Sequence, residues 1–328
     1  MSEAATRPGA ARIHVVAGVL EDASGRVLIA QRPRGRPMAG YWEFPGGKLS
    51  PGEERLAGLA RELDEEVGVR LAAARPLIRY VHRYPDRVVD LDVWRVGTWD
   101  GPPHGREDQA LSWLPIAALP EAGLLPADEP IVRALSLPSV VLVTPPAAGS
   151  EDAFLEVLAQ SAAELVVLRR PDLDTEALVA VAAWTRVRTG ARVVLNGDPA
   201  ELGKFVEQGA ADGLHVPAHH AARLTSRPLP RQHLFGVSCH DALELDRAEA
   251  LAADYAFLGP VKPTATHPGA PGSGWDAFAR LVRDRPLPVY AIGGLGPADL
   301  GAAWLAGAQG IAAIRSLWSL WGRAETSA

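Results

Sequence analysis

The chain of 328 residues is 48% hydrophobic and 22% charged, with a formal net charge of −6. Two domains with proper cores fit that length, and this ordinary globular usage excludes a disordered chain and gives no sign of a membrane span. The acidic balance argues against a grip on a nucleic-acid polymer, since such proteins turn basic faces to phosphate backbones, but it suits free nucleotides met through a cation.

In chain order, the N-terminal MSEAATRPGAAR lacks an apolar signal core, so no export signal is expected. Strands are predicted near 13–20 and 26–31, a helix over about 52–67, strands near 75–82, 88–97 and 110–113, and a helix at 129–135, an α+β pattern. The first helix is the informative element. Ser50-Pro51-Gly52-Glu53 predicts its start, with Ser50 as N-cap, Pro51 at the first helical position and Glu53 placed as in a capping box. Leu56, Leu59, Ala60, Leu63 and Val67 make an apolar stripe, while Glu62, Glu65 and Glu66 crowd another side. Like charges at that spacing destabilise a helix by about 0.2–0.5 kcal/mol per pair. A hard divalent cation with oxygen ligands turns the repulsion into binding, which points to phosphate chemistry. Gly46 and Gly47 leave bare backbone next to the acids, where a carbonyl can reach the ion.

From Gly47 the run reads G, five residues, E, seven residues, REL, one residue, EE, one residue, GV. It resembles the Nudix box without a mismatch. Residues 12–135 are similar to the MutT branch of Nudix hydrolases, which remove oxidised guanine nucleotides from the pool, a function allied to DNA repair; the shared marks are IHVVAGVL at 13–20, AGYWEFPGGK at 39–48 and LLPADEPIVRAL at 124–135. The resemblance implies an α/β/α sandwich and an 8-oxo-dGTP diphosphatase using Mg²⁺, with Mn²⁺ as the alternative ion. It implies metal contacts from the Gly46 carbonyl, Glu62, Glu65, Glu66 and Glu107, with Arg61 and Glu53 joining loop to helix. Which glutamate is the general base stays open. For the nucleotide pocket it implies Arg32, Phe44, Pro45, Gly46 and Gly47. Two positions depart, because a pocket asparagine falls on Asp128 and a pocket histidine on Pro37. An ionised Asp only accepts hydrogen bonds, so it would take the N7 proton of 8-oxoguanine without donating to O6. Asp128 is either that base contact or a helix cap before Glu129-Pro130.

Ser136-Leu137-Pro138 marks a boundary, giving domains 1–136 and 137–328. Beyond it SVVLVT, ELVVLR, ARVVLN, DGLHV, LFGVS, YAFLG, PVYAIGG and GIAAI alternate with amphipathic segments, which predicts a closed parallel (β/α)₈ TIM barrel with function at the C-terminal strand ends. Those ends hold Thr144, Arg169, Asn196, His215, Ser238, His240, Gly259, Gly293, Gly294, Arg315 and Ser316, and the glycines of AIGGLG with IRS suggest a phosphate cradle. Cys239 is the chain's single cysteine, so no internal disulfide forms and a reducing cytoplasm fits.

Residues 138–320 resemble thiamine phosphate synthases and their TenI-like relatives, in FGVSCH at 235–240, ADYAFLGPVKPTATHPGAPGSGW at 253–275 and PVYAIGGLGPADLGAAWLAGAQGIAAIRS at 288–316. The resemblance implies ligand contacts at Arg169, Asn196, Ser238, Thr264, Thr266, His267, Gly293, Gly294, Arg315 and Ser316. Its metal-binding aspartates fall on Gly197 and His220, and its lysines on Pro171 and His267, which argues against a competent synthase. TenI-like thiazole tautomerases need no metal and use a histidine that here is His240, either an acid/base group or a histidine hydrogen-bonded at a strand end.

Three functions follow in order: a nucleotide-cleaning hydrolase whose degenerate barrel binds a thiazole or thiamine-related phosphate; a bifunctional enzyme with thiazole tautomerase or thiamine phosphate synthase chemistry; and a hydrolase with a non-catalytic sensing or interaction module. The expected partner is a nucleoside triphosphate substrate, with no membrane.

Overall fold

Val16 and Leu20 on one face of β1 (Ala11–Leu20) enter a different apolar cluster from Ala17 and Val19 on the other, so the strand is packed on both sides. The computed structural model describes residues 11–146, 150–264 and 271–321. Two units divide the chain, Met1–Leu137 with Arg283–Pro286, and Pro138–Val282 with Leu287–Ala328.

The first unit adds β2 (Arg26–Gln31), β3 (Trp42–Glu43), β4 (Gly46–Lys48), α1 (Arg55–Val67), β5 (Arg70–Arg83), β6 (Arg87–Asp100), β7 (Leu111–Pro115) and α2 (Glu129–Leu135). One mixed sheet runs β4-β1-β6-β5, with β1 and β6 parallel, and a second runs β3-β2-β7. Leu59, Leu63 and Val67 of α1 pack with Val16 and Leu20, while Ile131, Ala134 and Leu135 of α2 pack with Ala17 and Val19. Helices thus cover both faces of the sheets, the expected sandwich.

Three details differ from the sequence expectation. Helix α1 starts at Arg55 rather than near 52, and its N-cap, Glu54, makes no side-chain cap bond. Gly52 is left-handed (φ 77°) and breaks the helix, while the Glu53 carboxylate still accepts from the Ser50 N–H at 2.9 Å. Leu56 is 45% exposed and leaves the apolar stripe. The long hairpin β5–β6 exceeds its predicted strands and is offset by register shifts between Leu71 and Ile78.

The second unit is a closed barrel of eight parallel strands, β8 (Val140–Val143), β9 (Leu165–Leu168), β10 (Arg192–Asn196), β11 (Gly213–Val216), β12 (Leu234–Cys239), β13 (Tyr255–Leu258), β14 (Val289–Ile292) and β15 (Gly310–Ala313), with β15 pairing back to β8. Short β-branched runs buried on both faces suit such strands. Four of the helices between them start at side-chain caps: Ser150, Asp174, Asp198 and Asp241 each accept from a backbone N–H in the first turn. Tyr290 packs edge-on against Tyr255 and Phe257 inside the barrel. Among the described residues no helix is long and apolar enough to cross a membrane.

Candidate functional sites

Strand β4 runs antiparallel to β1, with Gly46 opposite Ala17 and Gly47 opposite Val16. A Cβ on Gly46 would lie 2.1 Å from the Val16 carbonyl oxygen, and one on Gly47 2.2 Å from a Glu62 carboxylate oxygen. At Gly46 only glycine clears the β1 backbone, whereas at Gly47 an added methyl meets the movable end of the Glu62 side chain. Beside it opens a cavity of about 430 Å³ whose walls include Arg32, Glu62, Glu65, Glu66, Glu107 and Asp128. Phe44, Gly46 and Gly47 also line it, whereas Pro45 does not; its carbonyl accepts from Gly18 N at 2.8 Å.

The acids of this cavity are held by named partners. Arg61 donates to Glu53 through Nε (2.8 Å) and Nη2 (2.9 Å), to Glu62 (2.8 Å), to Glu65 (2.9 Å) and to the Lys48 carbonyl (3.1 Å). One guanidinium therefore ties β4, the turn after it and α1 together, and its bonds hold the Glu53 carboxyl well below the usual range. Glu66 accepts from the Gly46 N–H at 2.7 Å. Burial, then the nearby carboxylates of Glu43, Glu107 and Glu62, push its pKa up to about 7 against that bond.

Glu107 reaches the cavity because its loop is pinned to the end of α1. Arg106 N and Gln109 Nε2 both donate to the Glu66 carbonyl, at 3.0 and 2.9 Å, and Gln109 Oε1 accepts from Glu107 N at 2.8 Å. Gln109 and Glu43 were not singled out from the sequence. Glu43 sits in the conspicuous EFPGGK segment, but Gln109 gives no sequence signal, because its role depends on the backbone carbonyls of a distant helix.

A divalent cation fits this donor set by chemistry: hard carboxylate oxygens face one cavity, and beyond its burial Glu66 feels the charges of Glu43, Glu107 and Glu62. Among the described residues no three acidic or imidazole groups converge as a preassembled cage. Glu62 and Glu65 are held by Arg61, and Glu107 pairs with Arg36 at 2.7 Å.

Arg32 pairs with Glu43 and donates from Nε to the Pro37 carbonyl at 2.9 Å. Asp128, 4% exposed, makes no side-chain cap bond to α2, so the capping alternative falls. Its Oδ2 is buried without a hydrogen-bond partner. Burial, with Glu43 nearby, raises its pKa well above the carboxylate range, opposed by Arg32 and a bond from the Phe44 backbone.

In the barrel, a cavity of about 800 Å³ takes in Arg169, Asn196, Ser238, His240, Thr264 and Gly293. A smaller one of about 350 Å³ is lined by Gly293, Gly294, Arg315, Ser316 and, again, Thr264. Gly293 and Gly294 are left-handed (φ 101° and 66°), and a Cβ on either would strike Pro260 or the Pro263 carbonyl. Thr144 fixes the Arg169 backbone, accepting from its N–H at 2.8 Å. His215 Nε2 lies 2.8 Å from Ser238 Oγ, and burial lowers the His215 pKa to about 3, so it stays neutral. His240 Nδ1 and backbone N both meet Glu244 Oε2, at 2.9 and 2.6 Å. Glu244 went unremarked in the sequence, although it stands four residues after His240. Asp198 follows Gly197 by one residue, but it caps its helix through Ala200 N and pairs with His220 at 3.2 Å, away from the large cavity. Thr266 and His267 lie outside the described residues.

The chain matches two family models, a NUDIX domain over residues 16–134 and thiamine monophosphate synthase over residues 140–317. Among curated relatives, a CTP pyrophosphohydrolase of Escherichia coli is 36% identical over 122 residues, 37% of this chain and 90% of that protein. An 8-oxo-dGTP diphosphatase of the same organism is 32% identical over 124 residues, 38% of this chain and 96% of that protein. A thiamine-phosphate synthase of Myxococcus xanthus is 43% identical over 110 residues, 32% of this chain and only 49% of that protein. By these matches the chain belongs to two families at once, the Nudix hydrolases over its N-terminal unit and the thiamine monophosphate synthase family over its barrel.

Proposed function

We propose that the N-terminal unit is a Mg²⁺-dependent nucleoside triphosphate diphosphatase that accepts 8-oxo-dGTP and releases the monophosphate and diphosphate. The observation that carries this reading is one cavity shared by Glu66, held by the Gly46 amide, and by Asp128, buried with an unpaired oxygen. The same cavity thus offers carboxylates for a phosphate-bound cation and an unpaired polar atom for a base. Glu62, Glu65, Glu66 and Glu107 would hold the ion, which when bound neutralises phosphate charge and activates water. Arg61, through Glu53 and Lys48, keeps the acidic face in register with β4. Because Glu66 binds a proton with a pKa of about 7, an entering cation competes with that proton. Asp128 orients the purine edge, and Arg32, steadied by Glu43, flanks it.

A hydrolysis panel of 8-oxo-dGTP, dGTP, CTP and thiamine diphosphate, with wild type and Glu66→Gln, tests this. The expected outcome is highest kcat/KM for 8-oxo-dGTP and loss of turnover, roughly a hundredfold or more, in Glu66→Gln. CTP belongs in the panel because one relative bears that name. Equal slow turnover of every compound, unmoved by Glu66→Gln, sinks the reading.

For the barrel, the open cavity without a carboxylate pair supports metal-independent binding of a thiazole- or thiamine-related phosphate at Gly293, Gly294, Arg315 and Ser316. A second reading, proton transfer on that ligand, is favoured by one contact. Glu244 fixes His240 through Nδ1, which leaves Nε2 as the nitrogen that exchanges a proton.

A further inference from the structure

The Arg36–Glu107 ion pair stands inside the cavity assigned to the nucleotide. Both residues line it together with Glu66, and their side chains remain about half exposed, at 55% and 42%. The two ends of the pair are anchored differently. Glu107 belongs to the loop that Arg106 and Gln109 fasten to the Glu66 carbonyl, so its carboxylate has a fixed base. Arg36 belongs to the 33–40 turn, whose ends are closed by Gly40 N to Arg32 O at 3.0 Å and Arg32 Nε to Pro37 O at 2.9 Å. Arg36 itself is held there only by longer backbone bonds, its N to Pro33 O at 3.4 Å and Ala39 N to its O at 3.2 Å, with Gly35 and Met38 both left-handed. Any exchange of partners therefore moves Arg36 and leaves Glu107 in place.

The other arginines of the cavity are committed elsewhere. Arg32 is held by Glu43 and the Pro37 carbonyl, and Arg87 pairs with Asp86 at 2.9 Å and lies 4.5 Å over the Tyr84 ring. Burial raises the Glu43 pKa, and Arg32 with, more weakly, Arg36 opposes that rise through space. A triphosphate entering this cavity brings more negative charge than the cation alone offsets, and a guanidinium with a planar fork is the group that binds phosphate oxygens in pairs.

We propose that Arg36 is an exchangeable counter-ion, which holds Glu107 in the substrate-free protein and turns to the nucleotide's phosphates once a divalent cation takes that carboxylate. This rests on the diphosphatase reading of the cavity. A half-exposed pair is worth little, so its competition with the cation is small, whereas the contact to phosphate is stronger.

The test measures Mn²⁺ binding to the full chain by electron paramagnetic resonance without nucleotide, in wild type, Arg36→Ala, Arg36→Lys, Glu107→Gln and the Arg36→Ala/Glu107→Gln double variant. Arg36→Ala is expected to bind Mn²⁺ about two- to fivefold tighter than wild type, consistent with the small energy of an exposed pair. Arg36→Lys should fall between them, and Arg36→Ala should have no effect in the Glu107→Gln background. The KM for 8-oxo-dGTP should rise in Arg36→Ala by roughly tenfold, with partial recovery in Arg36→Lys. Equal Mn²⁺ affinity in wild type and Arg36→Ala overturns the exchange, as does an unchanged KM. Absence of Mn²⁺ binding in all five proteins overturns the diphosphatase reading along with it.

Discussion

Asp128 shows how one side chain changes its chemistry with burial. As a sequence position it is an anion that can only accept hydrogen bonds, whereas in its 4% exposed setting burial, with Glu43 beside it, raises its pKa and favours the protonated form. A neutral carboxyl offers one O–H donor beside an acceptor, so like the amide of asparagine, which has two N–H donors, it can donate and accept at once. Asp128→Asn should therefore leave the ratio of kcat/KM for 8-oxo-dGTP over dGTP within about threefold. Asp128→Ala should lose roughly tenfold or more, since an unmet polar edge costs about 1–3 kcal/mol. The sign of the stability effect follows from the same shift. The unfolded chain ionises this residue above about pH 4, while burial in the folded chain raises its pKa, so the folded state is penalised as pH rises above about 4. Asp128→Asn should raise the melting temperature at pH 7.5, with a gain that shrinks toward pH 4.5. A gain equal at both pH values would mean that the native carboxyl is ionised.

At the scale of elements, β4 and α1 form one device, and two adjacent glycines test it in different ways. In Gly46→Ala the new methyl meets the Val16 carbonyl, part of a paired strand, at φ 155°, so the unit should melt earlier. In Gly47→Ala it meets the tip of Glu62, which can swing aside. That variant should melt almost as wild type yet lose turnover by about a hundredfold, the effect of moving a functional group by about 1 Å. Comparable melting losses in the two variants would refute the distinction. Much of this device was legible in the sequence: Leu59, Leu63 and Val67 mark the buried side of α1, and the box spacing marks its acids. The helix start was not, because Gly52 adopts a conformation that no pattern of polarity encodes. Strands of two or three residues such as β3 and β4 carry no periodicity to detect. Gln109 and Arg36 were silent for another reason, since their partners are far away in the chain and become neighbours only through the fold.

For the molecule as a whole, the number of barrel strands and their order could be read from the eight β-branched runs, because a closed parallel sheet buries both faces of every strand. The site could be read only in part. Gly197 and His220 signalled the missing carboxylates, but not that Asp198, one residue on, would be taken up by a helix cap and a histidine. On the functions proposed above the two units differ in how they would meet phosphate: the first crowds acids that call for a cation, and the barrel offers bare glycine backbone with Arg315 and Ser316. This difference predicts opposite responses to chelation in the same sample. Isothermal titration of the full chain with thiazole phosphate should give the same affinity in EDTA as in Mg²⁺, while hydrolysis of 8-oxo-dGTP stops in EDTA and returns with Mg²⁺. Arg315→Ala should weaken the titration by roughly tenfold, the range of one charge-assisted contact, and leave hydrolysis unchanged. Binding that disappears in EDTA would show that the barrel draws on a cation of its own, and no heat of binding in either buffer would leave it without the phosphate ligand assigned to it.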